Sequence, residues 1–66
     1  MRMIDRVKAL EVKFGKRVVE RARDAFEEDN GINGWDAMMD NNDMLFEVFE
    51  GYVIDLAIIV DDHIKG

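Results

Sequence analysis

The first part of the chain carries apolar side chains at intervals of three or four residues. This spacing matches the 3.6-residue turn of an α-helix and places the apolar side chains on one face. We therefore predict a helix over residues 3–29, weakened locally by Gly15. Its apolar positions are Ile4, Val7, Leu10, Phe14, Val18, Ala22 and either Ala25 or Phe26.

Two clusters of turn-forming residues divide the rest of the chain. Residues 29–34 contain two Asn and two Gly, which favour left-handed backbone conformations, so the first helix is predicted to end there. Asn33 is placed to cap a short helix that continues through Met39. Residues 40–43 form the second cluster, in which Asn42 or Asp43 is predicted to open the last helix.

Residues 44–64 are mostly apolar and fit two structures. As a strand, residues 52–60 are rich in β-branched side chains, but the chain offers no second strand except across a dimer. As a helix, the segment gathers its polar positions on one narrow stripe, with Asp55 on the solvent side. We prefer the helix. The stripe consists of Glu47, Gly51, Asp55 and Asp62.

The predicted fold class is all-α, with residues 1–66 forming a single small domain. Two long helices and a short intervening helix make a helical hairpin. A chain of 66 residues has a marginal core, and with no cysteine for a disulfide we expect it to pair into a dimeric bundle. The residues assigned to the core or the dimer contact are Phe46, Phe49, Tyr52, Val53, Leu56, Ile59 and Val60.

The composition excludes most familiar catalytic groups. The chain has no Ser, Thr, Gln, Pro or Cys, so hydroxyl nucleophiles other than Tyr52 and all thiol nucleophiles are absent. We expect a non-enzymatic protein that needs no cofactor. The lack of cysteine fits a reducing compartment, and Arg2 and Asp5 interrupt any apolar signal sequence, so we expect a cytoplasmic location.

Charge is divided unevenly along the chain. Residues 1–23 hold eight of the nine basic side chains and have a net charge of +5, whereas residues 24–66 have a net charge of −11. This division favours contact between the first segment and either the remainder of the chain or another copy.

From this charge distribution we expect a regulatory protein that presents an acidic surface to a larger basic protein. Phage-type inhibitors and DNA mimics work in this way and provide a class analogy. The candidate partner-binding residues are Asp24, Glu27, Glu28, Asp29, Asp36, Asp40 and Asp43.

Metal-dependent functions are the main alternatives. Residues 29–40 resemble a calcium-binding helix-loop-helix loop, with Asp29, Asn33, Gly34 and Asp40 at matching positions, but Gly31 replaces an expected ligand. A magnesium site between helices is the second alternative, as in all-α nucleotide pyrophosphohydrolases, whose motif this chain matches only in part. Its candidate ligands are Glu27, Glu28, Glu47, Glu50 and Asp55. His63 and the two residues before it could also bind a metal weakly.

The remaining expectations concern partners. Basic residues of the first helix, among them Arg6, Lys13, Arg17 and Arg21, could contact nucleic acid, but the overall charge of −6 argues against it. Residues 52–60 are too few to span a membrane, which needs about 20 apolar residues. A further alternative is a self-assembling structural protein, in which the first helix of one copy docks on the acidic half of another.

Overall fold

The computed structural model describes residues 2–65, with side chains described for residues 2–60. The structure has three helices, α1 (Met3–Phe14), α2 (Lys16–Met39) and α3 (Asp43–Lys65), and no strand within residues 2–65. The predicted all-α class is confirmed, and so is the helical interpretation of residues 44–64. The side chains of residues 61–66, including Asp62 and His63, lie outside the described residues.

The prediction of one helix over residues 3–29 is wrong, because the chain breaks at Gly15. This residue has φ 98° and ψ 144°, a backbone conformation that side-chain-bearing residues rarely adopt. Its amide still donates to the carbonyl of Glu11, which ends α1, and its carbonyl accepts from Val19 at the start of α2. The apolar spacing continues across the break because both helices bury that face in the same core.

Helix α2 changes direction at Gly31, inside the segment that was predicted to end the first helix. Gly31 has φ 78° and ψ 167°, and it separates a first arm (residues 16–30) from a second arm (residues 32–39). The second arm corresponds to the predicted short helix. It returns to the first arm, since the Trp35 ring lies against Phe26 with 6.2 Å between ring centroids.

The turn between α2 and α3 uses three polar residues. Asn41 adopts φ 66°, a left-handed conformation that asparagine tolerates better than most residues. The Asn42 side chain accepts a hydrogen bond from the amide of Leu45 at 3.1 Å, so Asn42 is the N-cap of α3. Asp43 then opens α3, where its charge complements the helix dipole.

The core is assembled from all three helices. Helix α3 runs antiparallel to the first arm of α2, because Tyr52 meets Asp29 at one end and Val60 meets Arg17 and Val18 at the other. At the end near Gly31, an edge-to-face aromatic cluster joins both arms of α2 to α3. The buried residues are Met3, Val7, Leu10, Val18, Val19, Ala22, Phe26, Trp35, Met38, Phe46, Phe49 and Val53.

The amino-terminal end of the apolar face differs from the prediction. Met3 is buried, whereas Ile4, which the spacing placed in the core, is 39% exposed. Val19 is buried beside Val18, so the first arm of α2 presents a wider apolar face than a single three-to-four spacing indicates.

Over the residues described, no helix has an apolar stretch of the length and hydropathy that crossing a membrane requires.

Candidate interaction surfaces

Surface features, rather than enclosed cavities, are the candidate functional features of this chain. Between residues 2 and 60, no polar or charged side chain is buried. Two open clefts have volumes of about 190 and 210 Å³, below the roughly 300–1,000 Å³ typical of small-molecule sites. The candidate sites are therefore the charged and apolar surfaces of the chain.

Three of the seven predicted partner-binding acids are engaged within the chain. Glu27 pairs with Arg23 at 3.0 Å, and Asp43 pairs with Arg6 at 2.6 Å. Asp29 accepts a hydrogen bond from the Tyr52 hydroxyl at 2.6 Å. The contacts of Asp29 and Asp43 connect different helices, whereas that of Glu27 lies within the first arm of α2. A partner would have to compete with these internal contacts to reach the three acids.

The other four acids are exposed and make no ion pair with any side chain described in residues 2–60. They form two pairs with a spacing of four residues, which we call the acidic set. Asp24 and Glu28 lie one turn apart on the first arm of α2, and Asp36 lies four residues before Asp40 at the end of the second arm. The acidic set is therefore available to a cation from outside the chain.

Arg6 links the basic helix α1 to the start of α3. Besides its ion pair with Asp43, its guanidinium lies 4.2 Å from the centroid of the Phe46 ring. A cation over an aromatic face contributes about 0.5–1 kcal/mol at an exposed site. This contact agrees with the expectation that the first segment lies against the acidic remainder of the chain.

Arg23 has a similar role between the two arms of α2. Its guanidinium lies 4.3 Å from the centroid of the Trp35 ring while its Nε donates to Glu27. Trp35 is thus held between this arginine and the rings of Phe26 and Phe49. The spacing of Arg23 and Glu27 indicates their ion pair, but the stacking of Arg6 on Phe46 and of Arg23 on Trp35 could not be predicted, because each depends on how separate elements are brought together.

The hydrogen bond to Asp29 changes the chemistry of Tyr52. The Tyr52 hydroxyl donates a hydrogen bond to the Asp29 carboxylate, and this bond favours the protonated phenol. The pKa of Tyr52 is therefore raised above its ordinary value of 10.0. Desolvation and the negative charge of Asp29 act in the same direction. Tyr52 remains a neutral hydrogen-bond donor at physiological pH and links α3 to the first arm of α2.

The predicted core and dimer residues of α3 divide into three environments. Phe46, Phe49 and Val53 are buried within the single chain. Tyr52, Leu56 and Val60 are partly buried against the same core. Ile59 is 60% exposed and has no comparable cover from the described residues.

The opposite face of α3 is apolar and exposed. We call it the outer stripe, and its members are Met44, Val48, Ile54, Ile58 and Ile59. Asp55 lies exposed among these residues, as the helical interpretation predicted, and Glu47 is exposed beside them. A Cβ added to Gly51 on this face would meet no described atom within 4 Å apart from the adjoining backbone of α3, so no other described part of the chain packs against this glycine.

The described side chains do not assemble the ligand set that a calcium or magnesium site would require. Among the residues whose side chains are described, no group of three His, Cys, Asp or Glu converges closely enough to hold a metal ion. The residues of the supposed calcium loop belong to α2 except Asp40, which follows its last residue, and residues 32–39 form its second arm. His63 lies outside the described side chains, so the structure does not test it.

Comparison of the chain with protein-family models, curated proteins and solved structures found no match. Functional inference consequently rests on the charge, exposure and packing described above.

Proposed function

We propose that this chain is a small acidic interaction protein that regulates a larger basic protein by binding it. The acidic set is the observation that carries the proposal. Its four carboxylates are exposed and make no ion pair with a described side chain, and residues 24–64 contain no lysine or arginine. A surface of one charge sign attracts a partner of the opposite sign and accelerates encounter at low salt.

The proposal places the protein among non-enzymatic inhibitors. A basic partner that ordinarily binds nucleic acid would be attracted to the acidic set through the same lysines and arginines, as with phage-type DNA mimics. In this proposal the protein works in the cytoplasm, where its cysteine-free composition fits a reducing environment.

We also propose that two copies form a dimeric bundle. The outer stripe supports this proposal because it leaves several large apolar side chains exposed on a single helix. A chain of 66 residues with no cysteine has limited means of stabilising itself alone, and association is one of them. Dimerisation uses the outer stripe of α3, whereas partner binding uses the acidic set of α2 and the turn after it.

Affinity capture with neutralised variants tests partner binding. The test variant carries Asp24→Asn, Glu28→Gln, Asp36→Asn and Asp40→Asn. The matched control, which removes acids from the basic segment, carries Asp5→Asn, Glu11→Gln and Glu20→Gln. We expect the natural chain and the control to retain the same basic protein, released by salt, and the test variant to lose it.

Competition with duplex DNA then distinguishes a DNA mimic from another acidic inhibitor. If the partner normally binds DNA, excess duplex should release it from the immobilised chain. Retention of the same protein by the test variant, at the same salt concentration, would show that the acidic set is not the binding surface.

A further inference from the structure

The outer stripe of α3 is an apolar face flanked only by negative charge. Val48 is 47% exposed, Ile58 55% and Ile59 60%, so these side chains leave much of their apolar surface in water. The neighbouring charged side chains on this face are Glu47 and Asp55, and residues 43–60 contain no cation. A molecule that covers the stripe therefore needs apolar side chains accompanied by positive charge.

The exposed face of α1 has this complementary character. Val12 is 89% exposed, the highest value among the large apolar side chains found exposed, and Ile4 is 39% exposed. Lys8 lies one turn before Val12 and Lys13 follows it, both exposed. Residues 2–16 contain five basic and two acidic side chains, and of the five only Arg6 is paired with an acid of another helix among the described residues.

Pairing α3 with α3 of another copy would be opposed by charge. In an antiparallel pair around Gly51, Glu47 of each copy would face Asp55 of the other, and like charges in such positions destabilise a contact. Pairing α1 with α3 replaces this repulsion with attraction, and it covers Val12 at the same time. The two exposed faces within one chain thus fit each other better than either fits itself.

We propose that the outer stripe of α3 is covered by α1 of a second copy. A twofold axis relates the two copies, so the same contact is made twice, once in each direction. The proposal rests on the dimer proposed above and specifies its interface. A reciprocal contact closes after two copies, because each chain offers one α1 and one α3.

The size of the chain favours two contacts over one. A stable interface buries about 800 Å² per partner, which is about a sixth of the 4847 Å² that one chain exposes. When two symmetry-related helix contacts form, each chain buries part of this area on α1 and the remainder on α3. The acidic set remains outside the contact, so the dimer and the basic partner use different surfaces.

Charge reversal in separate chains tests the interface. One variant reverses α1 with Lys8→Glu and Lys13→Glu, and the other reverses α3 with Glu47→Lys and Asp55→Lys. All four positions are exposed, and circular dichroism with Trp35 fluorescence checks that each variant folds. Sedimentation is measured for the natural chain, for each variant and for an equimolar mixture.

We expect the natural chain to dimerise, more weakly at high salt, and each variant alone to associate at least tenfold more weakly. The mixture should recover association, because both reciprocal contacts then join opposite charges. An α1-reversed chain that dimerises as tightly as the natural chain would overturn the interface while leaving the dimer intact. A natural chain that stays monomeric at every concentration would overturn the dimer and this interface together, without affecting the acidic set.

Discussion

The inner and outer faces of α3 carry similar apolar side chains in opposite surroundings. On the inner face, Phe49 and Val53 are completely buried among residues of α1, α2 and α3. On the outer face, Ile58 and Ile59 remain more than half exposed, and Asp55 lies among them. One face of this helix therefore contributes to the core, and the other face remains exposed in the single chain.

The difference explains why this helix is apolar nearly all round. A helix that packs against one neighbour needs a single apolar stripe, and the remaining face is usually polar. Here the second apolar face costs solubility unless it is covered, and Asp55 with Glu47 limits indiscriminate association. In the dimer that we propose, the choice of partner would depend on the charges beside the stripe as well as on its apolar side chains.

Truncation of the inner face should have the largest effect. Phe49→Ala removes a ring that contacts Phe26, Trp35 and Phe46, and a Phe→Ala change in a core costs about 3–5 kcal/mol. A domain of this size has a stability of roughly the same magnitude, so we expect the variant to be mostly unfolded. Urea denaturation followed by circular dichroism measures the loss.

The matched control for Phe49→Ala is Ile59→Ala on the outer face. It should change the free energy of unfolding by less than about 0.5 kcal/mol, provided that the concentration keeps the chain monomeric. Equal losses at the two positions would show that the two faces do not differ in their contribution to the fold.

Alanine substitutions at two glycines distinguish a position where the fold requires glycine from a position on the exposed face of α3. Gly31→Ala places a side chain at φ 78° and ψ 167°, a region that is essentially restricted to glycine, and should destabilise the chain by about 1–3 kcal/mol. Gly51→Ala, in the interior of α3 with open space around it, should stabilise the monomer by about 0.5–1 kcal/mol. The measurement is the urea midpoint of each variant, and stabilisation by Gly31→Ala would be inconsistent with the bend in α2.

Asp55→Leu should strengthen self-association without unfolding the chain. The substitution exchanges an exposed charge for an apolar side chain on the outer stripe, and burying a leucine contributes about 1.5–3 kcal/mol. We expect roughly tenfold tighter association, aggregation at high concentration and a weaker dependence on salt. Asp24→Leu, on α2, serves as the control and should associate like the natural chain in sedimentation experiments.

A loss of helical structure in Asp55→Leu would contradict this account. It would indicate that Asp55 is buried and paired, contrary to its exposed position.

The hydrogen bond between Tyr52 and Asp29 gives the smallest expected effect, a change at alkaline pH. Because the folded-state pKa of Tyr52 is raised, its contribution to stability is complete below pH 10 and is lost as pH rises through the folded-state pKa. Absorbance of tyrosinate should therefore give a midpoint above 10.0 in the natural chain. Asp29→Asn should move the midpoint towards 10.0, and an unchanged midpoint would rule out this contact as the cause.

Helical periodicity was sufficient to predict much of this fold. Spacing of three and four identified the apolar faces, and the Asn-rich clusters identified both the bend near Gly31 and the cap at Asn42. The break at Gly15 was missed because Leu10, Phe14 and Val18 keep the same spacing across it. A single glycine can reverse the chain without disturbing that pattern, so periodicity alone does not reveal the break.

The surfaces were harder to predict than the helices. The excess of acids after residue 24 was evident, but which of them remain available depends on contacts such as that between Arg6 and Asp43. The stacking of Arg23 on Trp35 depends on the angle at Gly31, which no local spacing encodes. The exposed members of the outer stripe could be identified only from the packed structure.

Directed disulfide formation tests the central claim most directly, because the natural chain has no cysteine to interfere. One chain carries Val12→Cys on α1 and another carries Ile58→Cys on the outer stripe, and the two are mixed under mild oxidation. If α1 of one copy covers α3 of the other, the mixed disulfide should form faster than either disulfide between identical chains. Preferential coupling of Ile58→Cys to itself, or no preference at all, would contradict the account.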